Sequence, residues 1–183
     1  MNKESMKSPE EILEGKIMKI QRRREWRRLL TEGIVFIAIL CLVFQCVIGI
    51  AFVSSDSMQP ELRNGEMVVF YRLDQGYQKG DLVLIRREGN LEYIKRIVAV
   101  EQDKVELTEE GELLVNEEPE DREFVFGSTL PAEGGIAYPY EVPKDSYFVL
   151  GDNREESRDS RAFGAVREEE ITGRVFFHLG LTK

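Results

Sequence analysis

Residues 33–53 read GIVFIAILCLVFQCVIGIAFV and divide the 183-residue chain into two unequal parts. The run carries no charge and a single amide, Gln45. A helix rises 1.5 Å per residue, so a helix of this length would cover roughly 31 Å, about the hydrocarbon core of a bilayer. Few helices of soluble proteins stay apolar on every face for so long, and the apolar region of a cleavable signal peptide is shorter. The sequence therefore predicts an uncleaved transmembrane helix over residues 33–53, with the lipid bilayer as a partner.

The charges that flank this run are unevenly distributed. Residues 1–32 hold nine Lys and Arg against six Asp and Glu, whereas residues 54–183 hold sixteen against twenty-eight, a net of −12. The basic segment KIQRRREWRR (19–28) places the N-terminus in the cytoplasm by the positive-inside rule. We therefore expect a cytoplasmic segment (1–32), one membrane span and an extracytoplasmic domain (54–183). The acidic outer domain argues against nucleic acid as a partner.

The cysteines and the histidine exclude several kinds of site. Cys41 and Cys46 both lie within the apolar run, so the outer domain has no thiol for a Cys protease or a thiolate metal site. His178 is the only histidine, which excludes a multi-histidine metal site and argues against a Ser/His/Asp triad. A base other than histidine is expected.

Short apolar runs follow the span, separated by Gly, Asp and Asn. They are MVVFY (67–71), DLVLI (81–85), LEYIKRIVAV (91–100), ELLV (112–115), YFVL (147–150) and GRVFFHL (173–179). Runs of this length are typical of strands, and the lack of intervening helices argues against parallel crossovers. We predict a mostly β fold, an antiparallel sheet domain after a single N-terminal transmembrane helix. Residues 116–146, with four prolines and a Gly-Gly pair, are expected to form a loop and an edge hairpin.

The segment SSDSMQP (54–60) follows the apolar run directly. Serines and a proline after a helix are more often a cap and a stop than a catalytic site. If the segment is extended, its alternation places Ser55 and Ser57 on one face and Asp56 on the other. Two hydroxyls would then face one site.

Lys95 is a charged residue within the apolar run 91–100. Without a catalytic role, Lys95 would be an edge-strand lysine that prevents aggregation between strands. A functional lysine would have to lose its proton near neutral pH, and burial among apolar side chains lowers the pKa of an ammonium group. Lowering that pKa from about 10.4 to near 8 costs roughly 3 kcal/mol. An Asp56 that faces outward would not oppose this shift.

Residues 151–161, GDNREESRDSR, form the most specific string in the chain, directly after the run 147–150. Most such charge clusters are solvated loops with Asx turns and ion pairs. The order of small, acidic and basic residues at a strand end is also typical of a loop that brackets a site.

Three segments, SMQP (57–60), YIKRIV (93–98) and GDNREESRDSR (151–161), resemble in order and separation the motifs of the bacterial type I signal peptidase family. The resemblance runs from the apolar run through nearly the whole outer domain. It implies a membrane-bound serine endopeptidase, a hydrolase that removes signal peptides from exported preproteins through a Ser/Lys dyad. It implies no metal and no organic cofactor, and it leaves contact with the secretion machinery open.

The same resemblance implies a role for each residue. Ser57 would be the nucleophile and Lys95 the general base, with the Ser57 N–H and the Ser55 hydroxyl as oxyanion hole. Ser157 would orient the lysine. The substrate would lie as an added strand, with small residues on the acyl side of the cut. The other implied residues are the ion pairs Asp152–Arg96 and Asp159–Arg161, substrate contacts at Met58 and Tyr93, and strand partners at 52–56 and 91–95.

Some residues depart from the family pattern. Glu61 stands where the family usually has a threonine, Asp56 where a glycine is common, and AVEQD (99–103) where a Gly-Pro-Gly-type turn is usual. These departures leave open a paralogue dedicated to a few substrates, such as pilus or surface proteins.

Other interpretations also stay open. A self-cleaving protease of the SOS-repressor type shares the dyad and a β fold, but the apolar span and the lack of a DNA-binding region argue against it. A non-catalytic or substrate-dedicated homologue would be a membrane-tethered assembly module for surface proteins. A sensor whose acidic domain binds cations would show metal-dependent stability and no hydrolysis.

Overall fold

The computed structural model describes residues 9–74, 76–87, 89 and 91–180. The chain divides into two compact units, residues 1–45 and residues 46–183. The described part of the first unit is helical, and the second consists mainly of strands and loops. The first eight residues of the predicted cytoplasmic segment lie outside the described part of the chain.

A single long helix, α1, covers Pro9–Cys46 of the described residues. Its part from Met18 to Cys46 contains a window with a mean hydropathy of 2.3, and none of that window is buried inside the protein. By length and composition this helix could cross a membrane.

Helix α1 ends earlier than the sequence predicts. It stops at Cys46, and the last part of the predicted span forms strand β1, Ile48–Phe52. β1 pairs antiparallel with the next strand along the chain, where Gly49 lies against the ring of Phe70 because it has no side chain of its own. An apolar run does not by itself distinguish a helix from a strand. The predicted helix over residues 33–53 is therefore too long at its C-terminal end.

Besides a 3-10 helix at Glu168–Glu170, ten further strands and a short α-helix follow β1 in the described residues. They are β2 (Met67–Tyr71), β3 (Leu82–Arg87), β4 (Leu91–Ala99), β5 (Lys104–Leu107), β6 (Leu113–Val115), β7 (Glu118–Pro119), β8 (Tyr140–Glu141), β9 (Ser146–Leu150), α2 (Ser160–Phe163), β10 (Val166–Arg167) and β11 (Ile171–Leu179).

The strands form two sheets. The larger has the order β1-β2-β11-β3-β4-β9-β10, and the smaller has the order β7-β6-β5-β8. Neighbouring strands in both sheets run antiparallel. The prediction of a mostly β, antiparallel domain after one N-terminal apolar helix is confirmed.

All six predicted runs are strands, namely β2, β3, β4, β6, β9 and β11. The sequence analysis missed β1, which is hidden in the longer apolar run, β5, whose four residues KVEL carry two charges, and the two-residue strand β10. The predicted loop of residues 116–146 contributes β7 and β8. These two strands lie on opposite edges of the smaller sheet instead of pairing with each other.

The larger sheet buries side chains on both faces. One core contains Leu84 and Ile94 together with Met58, and the other contains Val83 and Ile97. Strand β4 contributes to both cores because successive side chains of a strand point to opposite faces. By the same alternation, Lys95 lies on the face of Ile97, opposite Val83 of β3.

Candidate active site

Ser57 lies in a turn that follows β1. Residues 55–62 form bends and turns, so the extended segment considered in the sequence analysis is not present. Met58 and Leu62 are buried beneath this turn, and the Leu62 N–H donates to the Met58 carbonyl at 2.8 Å. These apolar anchors hold Ser57 in a position where 6% of its surface is exposed.

The turn brings two hydroxyls together. Ser55 Oγ lies 3.2 Å from Ser57 Oγ. Asp56, between them, is exposed, and its Oδ1 accepts a hydrogen bond from Gln59 Nε2 at 2.7 Å. The two hydroxyls therefore lie on one side of the turn, and the Asp56 carboxylate points away from them. The sequence analysis predicted this arrangement, but for an extended segment and not for a turn.

Lys95 reaches this serine from β4. It lies opposite Val83 in the β3–β4 pair and is 1% exposed. Its Nζ donates to Ser57 Oγ at 2.6 Å. A nucleophile and its base must be within about 2.6–3.2 Å of each other, and this pair meets that condition.

Burial sets the protonation of Lys95. Loss of solvent around the ammonium group lowers the pKa of Lys95 to about 8, from an ordinary value of 10.5. The carboxylates of Asp159 and Asp152 oppose this change, and the charge of Arg161 adds to it. Desolvation is the largest of these effects, so the apolar packing of β4 is what makes a neutral lysine accessible near physiological pH.

Ser157 makes no hydrogen bond to Lys95 in this structure. Its Oγ is buried and has no hydrogen-bond partner among the described residues. The hydroxyl lies against Gly151, where any side chain would collide with it and with the carbonyl of Ser57. Ser157 is thus next to the site, but the orienting contact implied by the family resemblance is not formed.

Two ion pairs hold the segment 151–161. Arg96 donates to both carboxylate oxygens of Asp152, at 2.8 and 2.7 Å, and Arg161 donates to both of Asp159, at 2.8 and 3.0 Å. Burial raises the pKa of Asp152 above its ordinary value, and the Arg96 guanidinium opposes that rise. These are the same pairs that the resemblance implied.

Asp159 also ties this segment to the end of β9. Its Oδ2 accepts from the Gly151 N–H at 3.1 Å, and its Oδ1 accepts from the Arg161 N–H at the start of α2. One carboxylate therefore orders both ends of the loop that lies beside Ser57.

Sequence reasoning missed the contacts of Arg154 and Asn153. Arg154 is 3% exposed and donates to Glu120 at 2.7 Å and to Thr129 at 2.6 Å. The Asn153 N–H donates to the Ser57 carbonyl at 3.1 Å. Both residues stand in the quoted string 151–161, but Glu120 and Thr129 come from the segment 116–146, where no pattern marked them.

A groove of about 170 Å³ lies beside Ser57. It is lined by residues of β1 and of the serine turn, including Met58, and by Leu84, Glu92 and Ile94. The Tyr93 ring lies on the other face of β4, with its centroid 5.9 Å from Lys95 Nζ.

Both strands that line the groove have an open edge. β1 pairs only with β2, and residues 91–95 of β4 pair only with β3, because the pairing of β4 with β9 begins at Arg96. Within the described residues, these edges have no strand partner. An open edge is suited to bind an extended peptide as an added strand.

The described residues hold no group of three or more His, Cys, Asp or Glu that could bind a metal ion. A larger cavity, of about 680 Å³, is lined mainly by charged side chains that include Arg72, Asp74 and Lys144. It contains neither Ser57 nor Lys95, so cavity size does not identify the site in this protein.

Comparisons with known proteins identify the family of this chain. The family described as signal peptidase, peptidase S26, matches residues 25–179. Signal peptidase IB of Staphylococcus aureus (strain COL) is 33% identical over 171 residues, covering 84% of this chain and 87% of its own length. Signal peptidase I P of Bacillus subtilis subsp. natto is 33% identical over 141 residues, covering 69% and 76%.

A solved structure is also similar. The crystal structure of a signal peptidase I from Enterococcus faecalis V583 aligns with a TM-score of 0.47 and 23% identity, over 56% of this chain and 98% of that one. The family match spans most of the chain, and relatives at this level of identity cover more than two thirds of it. The chain therefore belongs to the signal peptidase family, peptidase S26, and is a serine peptidase.

Proposed function

We propose that this protein is a membrane-anchored endopeptidase in which Ser57 and Lys95 form the catalytic dyad. Membership of the family supports removal of signal peptides from preproteins as its activity. The observation that carries the dyad is the 2.6 Å contact between Lys95 Nζ and Ser57 Oγ. It joins a nucleophile to a base whose pKa burial lowers to about 8.

The first half-reaction forms an acyl-enzyme. Neutral Lys95 takes the Ser57 hydroxyl proton while Oγ attacks the scissile carbonyl carbon. The tetrahedral intermediate collapses, the carbon–nitrogen bond breaks, and Lys95 gives its proton to the leaving amine. The mature protein leaves, and the signal peptide stays as an ester on Oγ.

The second half-reaction reverses the roles. Lys95 takes a proton from water, the hydroxide attacks the ester carbon, and the carbon–Oγ bond breaks. The proton then returns to Ser57. The same lysine serves both steps, and no cofactor is needed.

The negative oxygen of each tetrahedral intermediate needs hydrogen-bond donors. The Ser57 N–H makes no hydrogen bond within the described part of the chain, and the Ser55 hydroxyl lies 3.2 Å from Ser57 Oγ. We assign these two groups to the oxyanion hole. Ser157 acts as a positioning residue: its Oγ, which has no partner among the residues that the structure describes, accepts a hydrogen bond from Lys95 when the lysine moves during the reaction.

The open edges of β1 and β4 support the way in which substrate binds. An extended peptide between them would place small side chains in the groove of about 170 Å³ beside Ser57, with Met58 in its lining. Exported preproteins with small residues at the first and third positions before the cut fit this limited volume.

Helix α1 supplies the membrane anchor in this proposal. The basic residues 19–28 lie on its N-terminal half, and the apolar window ends at Cys46. The positive-inside rule then places the N-terminus in the cytoplasm and the sheets outside. Labelling a cysteine introduced at Ser128 in intact cells tests this orientation, and labelling only after lysis would contradict it.

The dyad is tested by cleavage of a preprotein that carries a small-x-small site. Detergent-solubilised full-length wild type is compared with Ser57→Ala and Lys95→Ala. Ser128→Ala and Lys144→Ala are matched controls, since both side chains are exposed and lie outside the groove. We expect the wild type and both controls to cut, and the two dyad variants to lose activity by a factor of about 10³ or more.

The other outcomes are equally informative. Wild-type rates in Ser57→Ala or Lys95→Ala would show that the dyad assignment is wrong. Failure of the wild type on a panel of preproteins and surface proteins would favour the non-catalytic assembly module.

A further inference from the structure

A second groove lies on the face of β4 opposite the Ser57 groove. It measures about 230 Å³ and is lined by Arg87, Leu91, Tyr93, Arg158 and Phe163. Its walls come from β3, β4, α2 and the loop 151–161, and Tyr93 links it to the catalytic lysine.

The pleat of β4 separates the two grooves. Glu92 and Ile94 line the groove that contains Ser57, whereas Leu91 and Tyr93 line the second one. Alternate residues of a strand point to opposite faces, so the open edge of β4 borders both grooves.

A peptide added to this edge must alternate in the same way. If the first and third residues before the cut point into the Ser57 groove, the second residue before the cut points to the opposite face. The first residue after the cut lies two positions further along the peptide. It therefore points to the same face as the second residue before the cut, provided that the peptide stays extended. These two substrate positions therefore face the second groove.

The charges of this groove are not balanced. Arg87 pairs with Glu170 at 2.7 Å, and its guanidinium lies 4.5 Å from the centroid of the Phe163 ring. Arg158 is exposed and has no carboxylate partner among the described residues. Arg158 is thus the cation that this groove offers to a substrate, in an outer domain whose net charge is −12.

We propose that Arg158 is a specificity-determining residue that favours acidic side chains at the two substrate positions flanking the first residue before the cut. The inference rests on the proposed function, because it uses the substrate strand placed there. It concerns a side chain that pairs with the substrate and leaves the chemistry to Ser57 and Lys95. Leu91, Tyr93 and Phe163 supply the apolar surface along which the stem of a Glu side chain can pack.

The test uses a preprotein with Glu, Gln or Lys at the first position after the cut, and a second series at the second position before it. The measured quantity is the ratio of kcat/KM for the Glu and Lys substrates. We expect the wild type to favour the Glu substrate about fivefold. This ratio combines the attraction of an exposed Arg158–Glu pair with the repulsion between Arg158 and the Lys of the other substrate. The ratio should fall as salt is added, because exposed charges are screened.

Two variants and a control separate the causes. Arg158→Ala should bring the ratio close to one, and Arg158→Glu should invert it. Arg122→Ala removes the same charge from an exposed side chain outside the groove and should keep the wild-type ratio. Because each ratio is taken within one variant, a change in overall activity cancels.

The outcomes for this inference and for the proposed function are distinct. A wild type that cuts all substrates with a ratio near one, or an Arg158→Glu variant that keeps the wild-type ratio, would overturn the role of Arg158 and leave the dyad intact. A wild type that cuts none of them would overturn the proposed function, and the inference with it.

Discussion

Two ion pairs close together in the chain differ mainly in burial. Asp159 and Arg161 lie 2.8 Å apart, with side chains that are 0% and 6% exposed. Arg167 and Glu169 lie 2.7 Å apart, with both side chains 67% exposed. The first pair lies beside the dyad and the second on the surface near β10.

Distance alone therefore says little about what an ion pair does. Water screens the exposed pair, and such pairs are worth little to stability. The buried pair has lost its water, so removal of one partner leaves a charge with nothing to offset it. Around Ser57 and Lys95, a buried charged side chain therefore needs its ion-pair partner for the protein to stay folded.

The largest expected effect comes from breaking the buried pair. Asp159→Asn leaves the Arg161 guanidinium buried without its counter-charge and weakens the bond to the Gly151 N–H. We expect the free energy of unfolding to fall by about 3–5 kcal/mol. Denaturant unfolding of the full-length protein in detergent measures it.

The exposed pair supplies the matched control for this change. Glu169→Gln is the same carboxylate-to-amide substitution at a pair of almost equal length. We expect no measurable change in unfolding. Equal losses in the two variants would show that burial does not explain the difference between the pairs.

A smaller effect of opposite sign is expected at Lys95. The folded protein holds the pKa of Lys95 near 8, below its ordinary value, so the buried ammonium costs stability at pH 7. Lys95→Met removes that cost and loses one hydrogen bond, and should raise the free energy of unfolding by about 2 kcal/mol. Unfolding at pH 7 measures it, and a less stable variant would contradict the burial argument.

The direction in which stability changes with pH follows from the same pKa of Lys95. The wild type should gain stability as pH rises from about 8 towards 10.5, because the unfolded chain binds a proton that the folded one has lost. The Lys95→Met variant should lack this rise in stability. Unfolding curves at pH 7, 9 and 10 compare the two proteins.

The smallest effect is the pH dependence of activity. Neutral Lys95 is the active form, so kcat/KM should rise about tenfold between pH 7 and pH 9 and then level off. The carboxylate of Asp159 raises the pKa of Lys95, so Asp159→Asn should move the midpoint to lower pH, whereas Glu169→Gln should not move it. A profile that falls through pH 8 would contradict a lysine base.

Much of the fold could be predicted because its signals are local. Apolar runs of four to ten residues, separated by turn residues, marked six of the strands. The apolar run after the basic segment marked helix α1. β1 escaped because its residues continue that run, and only its pairing with β2 identifies Ile48–Phe52 as a strand.

The site could be predicted as a set of residues but not as a geometry. The strings around Ser57, Lys95 and Asp159 are contiguous in sequence, so their resemblance to a family was visible. Two partners of Arg154, Glu120 and Thr129, come from a segment without a pattern of its own. A hydrogen bond between distant residues leaves no mark on either stretch of sequence.

The sequence by itself determined the order of the parts: a basic segment, an apolar helix, an acidic β domain and three strings that carry the reactive residues. Each of these parts is marked by the composition or the periodicity of a short stretch of sequence, and both can be seen without knowing the fold. Only the tertiary structure decided that the helix ends at Cys46, that Ser157 Oγ has no hydrogen-bond partner among the described residues and that the two faces of β4 border separate grooves. It also decided the burial of Lys95, because desolvation depends on side chains that folding brings from distant parts of the chain.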